Sequence, residues 1–174
     1  MSLNNKNNIA AQISSAVAYL HLRDVPILHR DIKSANVIVN TAGVVKLCDL
    51  GLSKFNALEL TIKTTQGHDG IVKGSLMYLA PELLLKTSKQ ASFSSDIWSL
   101  ACTFQELYSE KLVWDLAEFD FSLENICRSD IVPDLSIVPE YLKKIIKKMF
   151  PSKSYRKTWY FSYSGQSRHT FKKP

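Results

Sequence analysis

The chemistry in this chain is concentrated in His29-Arg30-Asp31-Ile32-Lys33-Ser34-Ala35-Asn36 and, eighteen residues past Asp31, Asp49-Leu50-Gly51. A carboxylate, an ammonium, an amide and a second carboxylate fall within 19 residues. The apolar runs Val37-Ile38-Val39 and Val44-Val45-Lys46-Leu47-Cys48 are split by Asn40-Thr41-Ala42-Gly43. That pattern predicts a loop, a β-hairpin and a second loop. A hairpin brings its outer ends together, so Asn36 and Asp49 should be neighbours. Oxygen donors converging there suit a hard cation such as Mg²⁺. Asp31, five residues upstream of Asn36, is placed to reach a substrate hydroxyl. A lone Asp or Asn in a loop is usually a turn former, and a lone Lys a solvated charge. It is their joint spacing that points to chemistry.

The elements that must hold this stretch are legible on both sides. Ile9, Ile13, Val17 and Leu20 recur at helical spacing, which predicts a helix over 8–23 capped by Asn7 or Asn8 and left at Pro26. Residues 94–109 read as a helix capped by Ser94 or Ser95, with Asp96 in its first turn. Ile97, Leu100, Ala101, Phe104 and Leu107 line one face, and the scarcity of polar residues predicts burial on several sides. Pro81 opens a short helix through Leu83-Leu84-Leu85. Residues 117–128 are weakly helical. Glu140–Phe150 reads as an amphipathic helix, with Leu142, Ile145, Ile146 and Met149 inward and Lys143, Lys144, Lys147 and Lys148 outward. From Leu52 to Leu79 periodicity is lost, as in functional or disordered segments.

A chain of 174 residues, 45% hydrophobic and 22% charged, suffices for one substantial core. No apolar run reaches the roughly 18–20 residues that span a bilayer, and the polar N-terminus lacks a secretory apolar segment. Cys48, Cys102 and Cys127 form no CxxC pair, which argues against a disulfide framework or zinc site and for a reducing, cytoplasmic setting. The net charge of +6 is uneven: ten of the 22 basic residues and none of the 16 acidic ones follow Glu140. A basic tail can serve anionic partners such as nucleic acid or acidic lipid, and the bland alternative, a solvated and partly disordered tail, is the expected one. With its aromatics clustered in 159–163 and no nucleic-acid motif present, nucleic acid is not an expected partner.

Together these residues resemble the large, C-terminal lobe of a eukaryotic-type protein kinase. The catalytic-loop pattern H-R-D-x-x-x-x-N is His29-Arg30-Asp31 with Asn36, and D-F-G is Asp49-Leu50-Gly51 with Leu for Phe. Ala80-Pro81-Glu82 matches A-P-E, preceded by Gly74-Ser75-Leu76-Met77-Tyr78. Asp96-Ile97-Trp98-Ser99 resembles the start of that lobe's buried central helix, and Arg156 resembles the late Arg that pairs with the A-P-E glutamate, here Glu82. Lys33 is what serine/threonine kinases carry, and Leu52-Ser53-Lys54 resembles the tyrosine-kinase-like branch. The resemblance covers roughly 8–158, with a polar extension at 1–7 and a basic tail at 159–174.

The resemblance implies a mainly α fold with a small β-hairpin, and ATP and Mg²⁺ as cofactors. Asp31 would orient the attacking hydroxyl and accept its proton, and Lys33 would face the transferring phosphoryl group. Asn36 and Asp49 would hold Mg²⁺, and Ile38 would pack under adenine. His29 and Leu50 would join an apolar stack between lobes, with Gly51 completing the metal-binding triplet. Asp96 would hold the catalytic-loop backbone. Arg30 would receive a phosphate on the 52–79 loop, with Thr61, Thr64 and Thr65 as acceptors. The sequence has no G-x-G-x-x-G and no Val-Ala-Ile-Lys-like strand. The small N-terminal lobe is therefore expected to be missing, the face that would meet it exposed to a covering partner, and activity of the isolated chain weak or absent. The substrate implied is a protein Ser/Thr hydroxyl. The alternative is a non-catalytic, kinase-derived interaction module.

Overall fold

A computed structural model of the chain describes residues 1–50, 76–85, 88, 90–114 and 132–150. The predicted helix at 117–128, Gly51, Thr61, Thr64, Thr65, Arg156 and the 159–174 tail lie outside the described residues.

Helix α1 spans Leu3–His21. It starts five residues earlier than apolar spacing predicts, because Ser2 caps it by accepting from the Asn5 N–H. Lys6 makes the added turn worthwhile. Its stem is buried, its Nζ donates to the Tyr108 carbonyl at 2.9 Å, and it pairs with Glu110 at 2.9 Å. Both partners lie over a hundred residues away, so helical periodicity could not reveal them.

The hairpin forms as its turn residues predict. Strand β1 (Val37–Val39) pairs antiparallel with β2 (Val45–Leu47), Val37 opposite Leu47. Gly43 sits at φ 76°, the left-handed conformation a glycine adopts without strain. The hairpin is tied to α1 by two amides: Gln12 Nε2 donates to the Gly43 carbonyl and its Oε1 accepts the Val45 N–H, both at 2.9 Å, and Asn8 Nδ2 donates to the same Gly43 carbonyl at 3.4 Å. Helix α2 is the short turn Pro81–Leu84, with Pro81 in its first turn, where a missing N–H costs nothing.

Helix α3, Phe93–Ser109, is the centre of the fold. Its cap is Ser92, in a reciprocal box with Ser95, rather than Ser94 or Ser95 themselves. Trp98, Leu100, Ala101, Cys102, Phe104 and Tyr108 are all buried, around more than half the helix circumference. They pack with Ile9, Ile13 and Val17 of α1 in one core. Helix α4, Glu140–Met149, closes that core through Ile146, and Phe150 beyond it meets Trp98 edge-on at 5.0 Å. Ile145, expected inward, is 58% exposed. The buried stripe runs through Leu142, Ile146 and Met149, and Ile145 falls on its flank. No helix among the described residues is long and apolar enough to cross a membrane.

Lys6 leads the causes that hold the Glu110 carboxyl at about 2, below its ordinary 4.5. A depressed carboxylate contributes stability that is complete above its ordinary value and is lost as pH falls through its folded value. The Glu110→Gln variant should therefore lose less stability than the parent between pH 4.5 and about 2. Paired thermal melts at pH 5 and 2.5 read this, and because Glu110 is solvent-exposed, added salt should shrink the difference.

Candidate active site

The loop between α1 and β1 is held by one carboxylate. The His29 N–H donates to Asp96 Oδ2 and the Arg30 N–H to Asp96 Oδ1, both at 2.8 Å. Arg30 adopts φ 68°, which costs a non-glycine residue about 1–2 kcal/mol. Two charge-assisted hydrogen bonds, each worth about 1.5–3 kcal/mol, more than offset that strain. Asp96 is 1% exposed, in the first turn of α3, where the helix dipole favours its charge.

A third donor reaches Asp96 from a residue that sequence reasoning passed over. His21 Nε2 lies 2.9 Å from Oδ2, with its ring packed on Phe93. His21 ends α1, where its only sequence signal was a basic residue in the last helical turn. Its partner lies 75 residues on.

His29 is fully buried, and its tautomer follows from its neighbours. Nε2 lies 3.0 Å from the Cys48 carbonyl, which can only accept, so Nε2 carries the proton. Nδ1 then accepts the Asp31 N–H at 3.4 Å. One imidazole thus ties the loop bearing Asp31 to the strand end bearing Asp49.

Asp31, Lys33 and Asn36 come together. Lys33 Nζ is 3.2 and 3.1 Å from the two Asp31 carboxylate oxygens. Asn36, in a 3₁₀ turn over Ser34–Asn36, donates Nδ2 to the Asp31 carbonyl at 2.7 Å and to Asp31 Oδ2 at 2.9 Å. Its nitrogen is committed to Asp31, and its oxygen is the atom with lone pairs for a cation. The Cys48 N–H donates to the Asn36 carbonyl at 2.8 Å, so the hairpin sets Asp49 one residue past Asn36's cross-strand partner. Asp49 is exposed and adopts φ 58°, a conformation Asp tolerates better than most residues.

The remaining predicted residues are more dispersed. Ile38 is 55% exposed on β1 and Leu50 44% exposed. Glu82 lies in the first turn of α2. Arg30 is exposed.

Among the described residues no three His, Cys, Asp or Glu side chains form a metal-binding group. The donor set is one carboxylate and one amide oxygen, with Asp31 beside them. That is too sparse for a cation held by protein alone. It fits Mg²⁺, which keeps several waters and completes its shell with substrate phosphates.

The protein kinase domain model matches residues 1–159. Mitogen-activated protein kinase kinase kinase 5 of Arabidopsis thaliana is 37% identical over 139 residues, covering 76% of this chain and 18% of that protein. Mitogen-activated protein kinase kinase kinase YODA of the same plant is 36% identical over 79% of this chain and 14% of its own length. Cyclin-dependent kinase G-1 of Oryza sativa subsp. indica is 38% identical over 76% of this chain and 18% of its length. The chain thus spans less than a fifth of the length of these relatives.

Proposed function

The chain belongs to the protein kinase family, a serine/threonine kinase by descent, and from that premise we propose that residues 8–158 are the large catalytic lobe. They would supply the phosphoryl-transfer half of the site to a protein Ser/Thr hydroxyl. The observation that carries this reading is the Asp31–Lys33–Asn36 cluster, hung from Asp96 and closed onto Asp49 by the hairpin.

Phosphoryl transfer asks a protein for positioning and charge neutralisation more than for covalent chemistry. Asp31 orients the attacking hydroxyl and takes its proton. Lys33, now on Asp31, is within reach of the same cleft to face the transferred group. Asn36 and Asp49 hold Mg²⁺, whose charge screens the nucleotide phosphates. Ile38 meets the adenine, and Glu82 pairs with Arg156. Thr61, Thr64 and Thr65 are the proposed phosphoacceptors read by Arg30. The triplet Leu52-Ser53-Lys54 supports a place near the tyrosine-kinase-like branch.

The hairpin leaves Ile38, Val39 and Val44 exposed by 55, 44 and 47%. This supports a face that a small lobe or a partner covers. The sequence carries no glycine-rich phosphate loop and no strand lysine, so the 174-residue polypeptide assayed alone should transfer phosphate only at background. Incubation of the purified chain with Mg-ATP and a generic protein substrate tests this. Robust turnover that Asp31→Ala abolishes would overturn the half-site account while leaving the kinase assignment standing.

A further inference from the structure

Ten residues beyond Asp96 on α3, about 15 Å along the helix axis, a second carboxylate gathers hydrogen bonds from separate parts of the chain. Glu106 Oε2 accepts from Ser34 Oγ at 2.9 Å and from the Tyr78 hydroxyl. Ser34 Oγ and the Tyr78 hydroxyl are themselves 2.8 Å apart. Glu106 Oε1 accepts the Val113 N–H at 3.1 Å. Three oxygens in mutual contact share only two hydroxyl protons. Either both hydroxyls donate to Glu106, or Ser34 donates to Tyr78 and Tyr78 to Glu106. In both arrangements the serine and the tyrosine are satisfied through one carboxylate.

The placement of the two hydroxyls gives the cluster its meaning. Ser34 lies in the catalytic-loop turn between Lys33 and Asn36, and Tyr78 precedes Ala80-Pro81-Glu82. The Tyr78 segment is pinned to the rest of the fold nearby: Ser99 Oγ donates to the Tyr78 carbonyl at 2.8 Å and Trp114 Nε1 to the Met77 carbonyl at 2.9 Å. Burial and the Glu106 carboxylate push the Tyr78 phenol well above its ordinary value, so it remains a donor at any physiological pH.

We propose that Ser34, Tyr78 and Glu106 form a positioning unit that locks the far end of the catalytic loop to the segment entering Ala80-Pro81-Glu82. Helix α3 then grips the loop at both ends, Asp96 at His29–Arg30 and Glu106 at Ser34. Displacement of the Tyr78 segment is transmitted to the turn that carries Lys33 and Asn36, and the reverse. Ser34 is the distinctive member: it is exposed, packs no core, and links the loop to Tyr78 only through its hydroxyl. The value of this coupling to phosphoryl transfer rests on the kinase reading. The coupling itself does not, so its test uses no nucleotide.

Amide hydrogen exchange on the full chain at neutral pH, with Ser34→Ala, Ser34→Thr and Tyr78→Phe, decides the matter. Ser34→Ala should speed exchange about fivefold, the worth of one hydrogen bond of ordinary net strength, at residues 33–36 and also at 76–80. Tyr78→Phe, which keeps the ring, should do the same in reverse, reaching 33–36. Ser34→Thr retains the hydroxyl and should restore the parent rates. Acceleration confined to each variant's own segment, or a Thr variant that behaves like Ala, would overturn the proposal.

Discussion

Asp96→Asn should destabilise the fold by about 3 kcal/mol, more than any other isosteric change in the site. Three donors converge on its two oxygens: the His29 and Arg30 N–H groups and His21 Nε2. Asparagine keeps the shape but replaces one oxygen with an NH₂ group. In either orientation that group faces a backbone donor, and a buried N–H is left unpaired. The loss also removes the charge that holds Arg30 at its left-handed φ. For a chain of this size the change corresponds to a fall in Tm of roughly 6–12 °C. Denaturant titration should show a lower midpoint with an unchanged slope. His21→Phe, which keeps a ring against Phe93 and removes only the third donor, should cost about 1 kcal/mol. A parent-like Asp96→Asn variant would mean that the loop is held by something other than this carboxylate.

Asp31→Ala should separate chemistry from binding. The informative protein is a chimera in which residues 8–158 replace the large lobe of a related active kinase. General-base and orienting contributions of one side chain are worth about 10²–10⁴-fold in rate, and kcat should fall by that much. Nucleotide affinity should hold, for a structural reason. Asn36 Nδ2 bonds to the Asp31 backbone carbonyl as well as to its carboxylate. The carbonyl survives in the alanine variant and keeps the Asn36 oxygen oriented. Lys33 loses its carboxylate partner, so Asp31→Ala combined with Lys33→Met should be far less than multiplicative. Equal losses in kcat and in nucleotide affinity would argue that Asp31 acts by holding the metal site together.

The parts of the fold and site that were legible in the sequence are those fixed by local rules. The hairpin followed from Asn40–Gly43 between β-branched runs, and its register places Asn36 and Asp49 at its outer ends. Asp96 stood out as a first-turn acid at the head of an apolar helix. The rest depended on partners distant in the chain. Lys6 extends α1 because Tyr108 and Glu110 meet it across the core. The cap of α3 moved to Ser92 because a reciprocal box with Ser95 satisfies two backbone donors at once, where Ser94 would satisfy one. Ile145 points outward because the stripe of α4 is set by where α3 lies. His21 and Glu106 are ordinary helix residues until Asp96 and Tyr78 are beside them. Apolar periodicity reports which face is buried, whereas polar networks are specified by long-range juxtaposition.

Asn36 and Asp49 are the proposed cation-holding edge of a nucleotide site. Titration of the full chain with ATP, with and without Mg²⁺, followed by backbone amide shifts, tests it most directly. Mg²⁺-dependent shifts are expected at Asn36, Val37, Cys48 and Asp49, and Asp49→Ala should abolish them while the amides of the remaining hairpin residues, 38–47, keep their parent positions. A folded chain that shows no Mg²⁺-dependent response at those amides would contradict it and favour a kinase-derived interaction module.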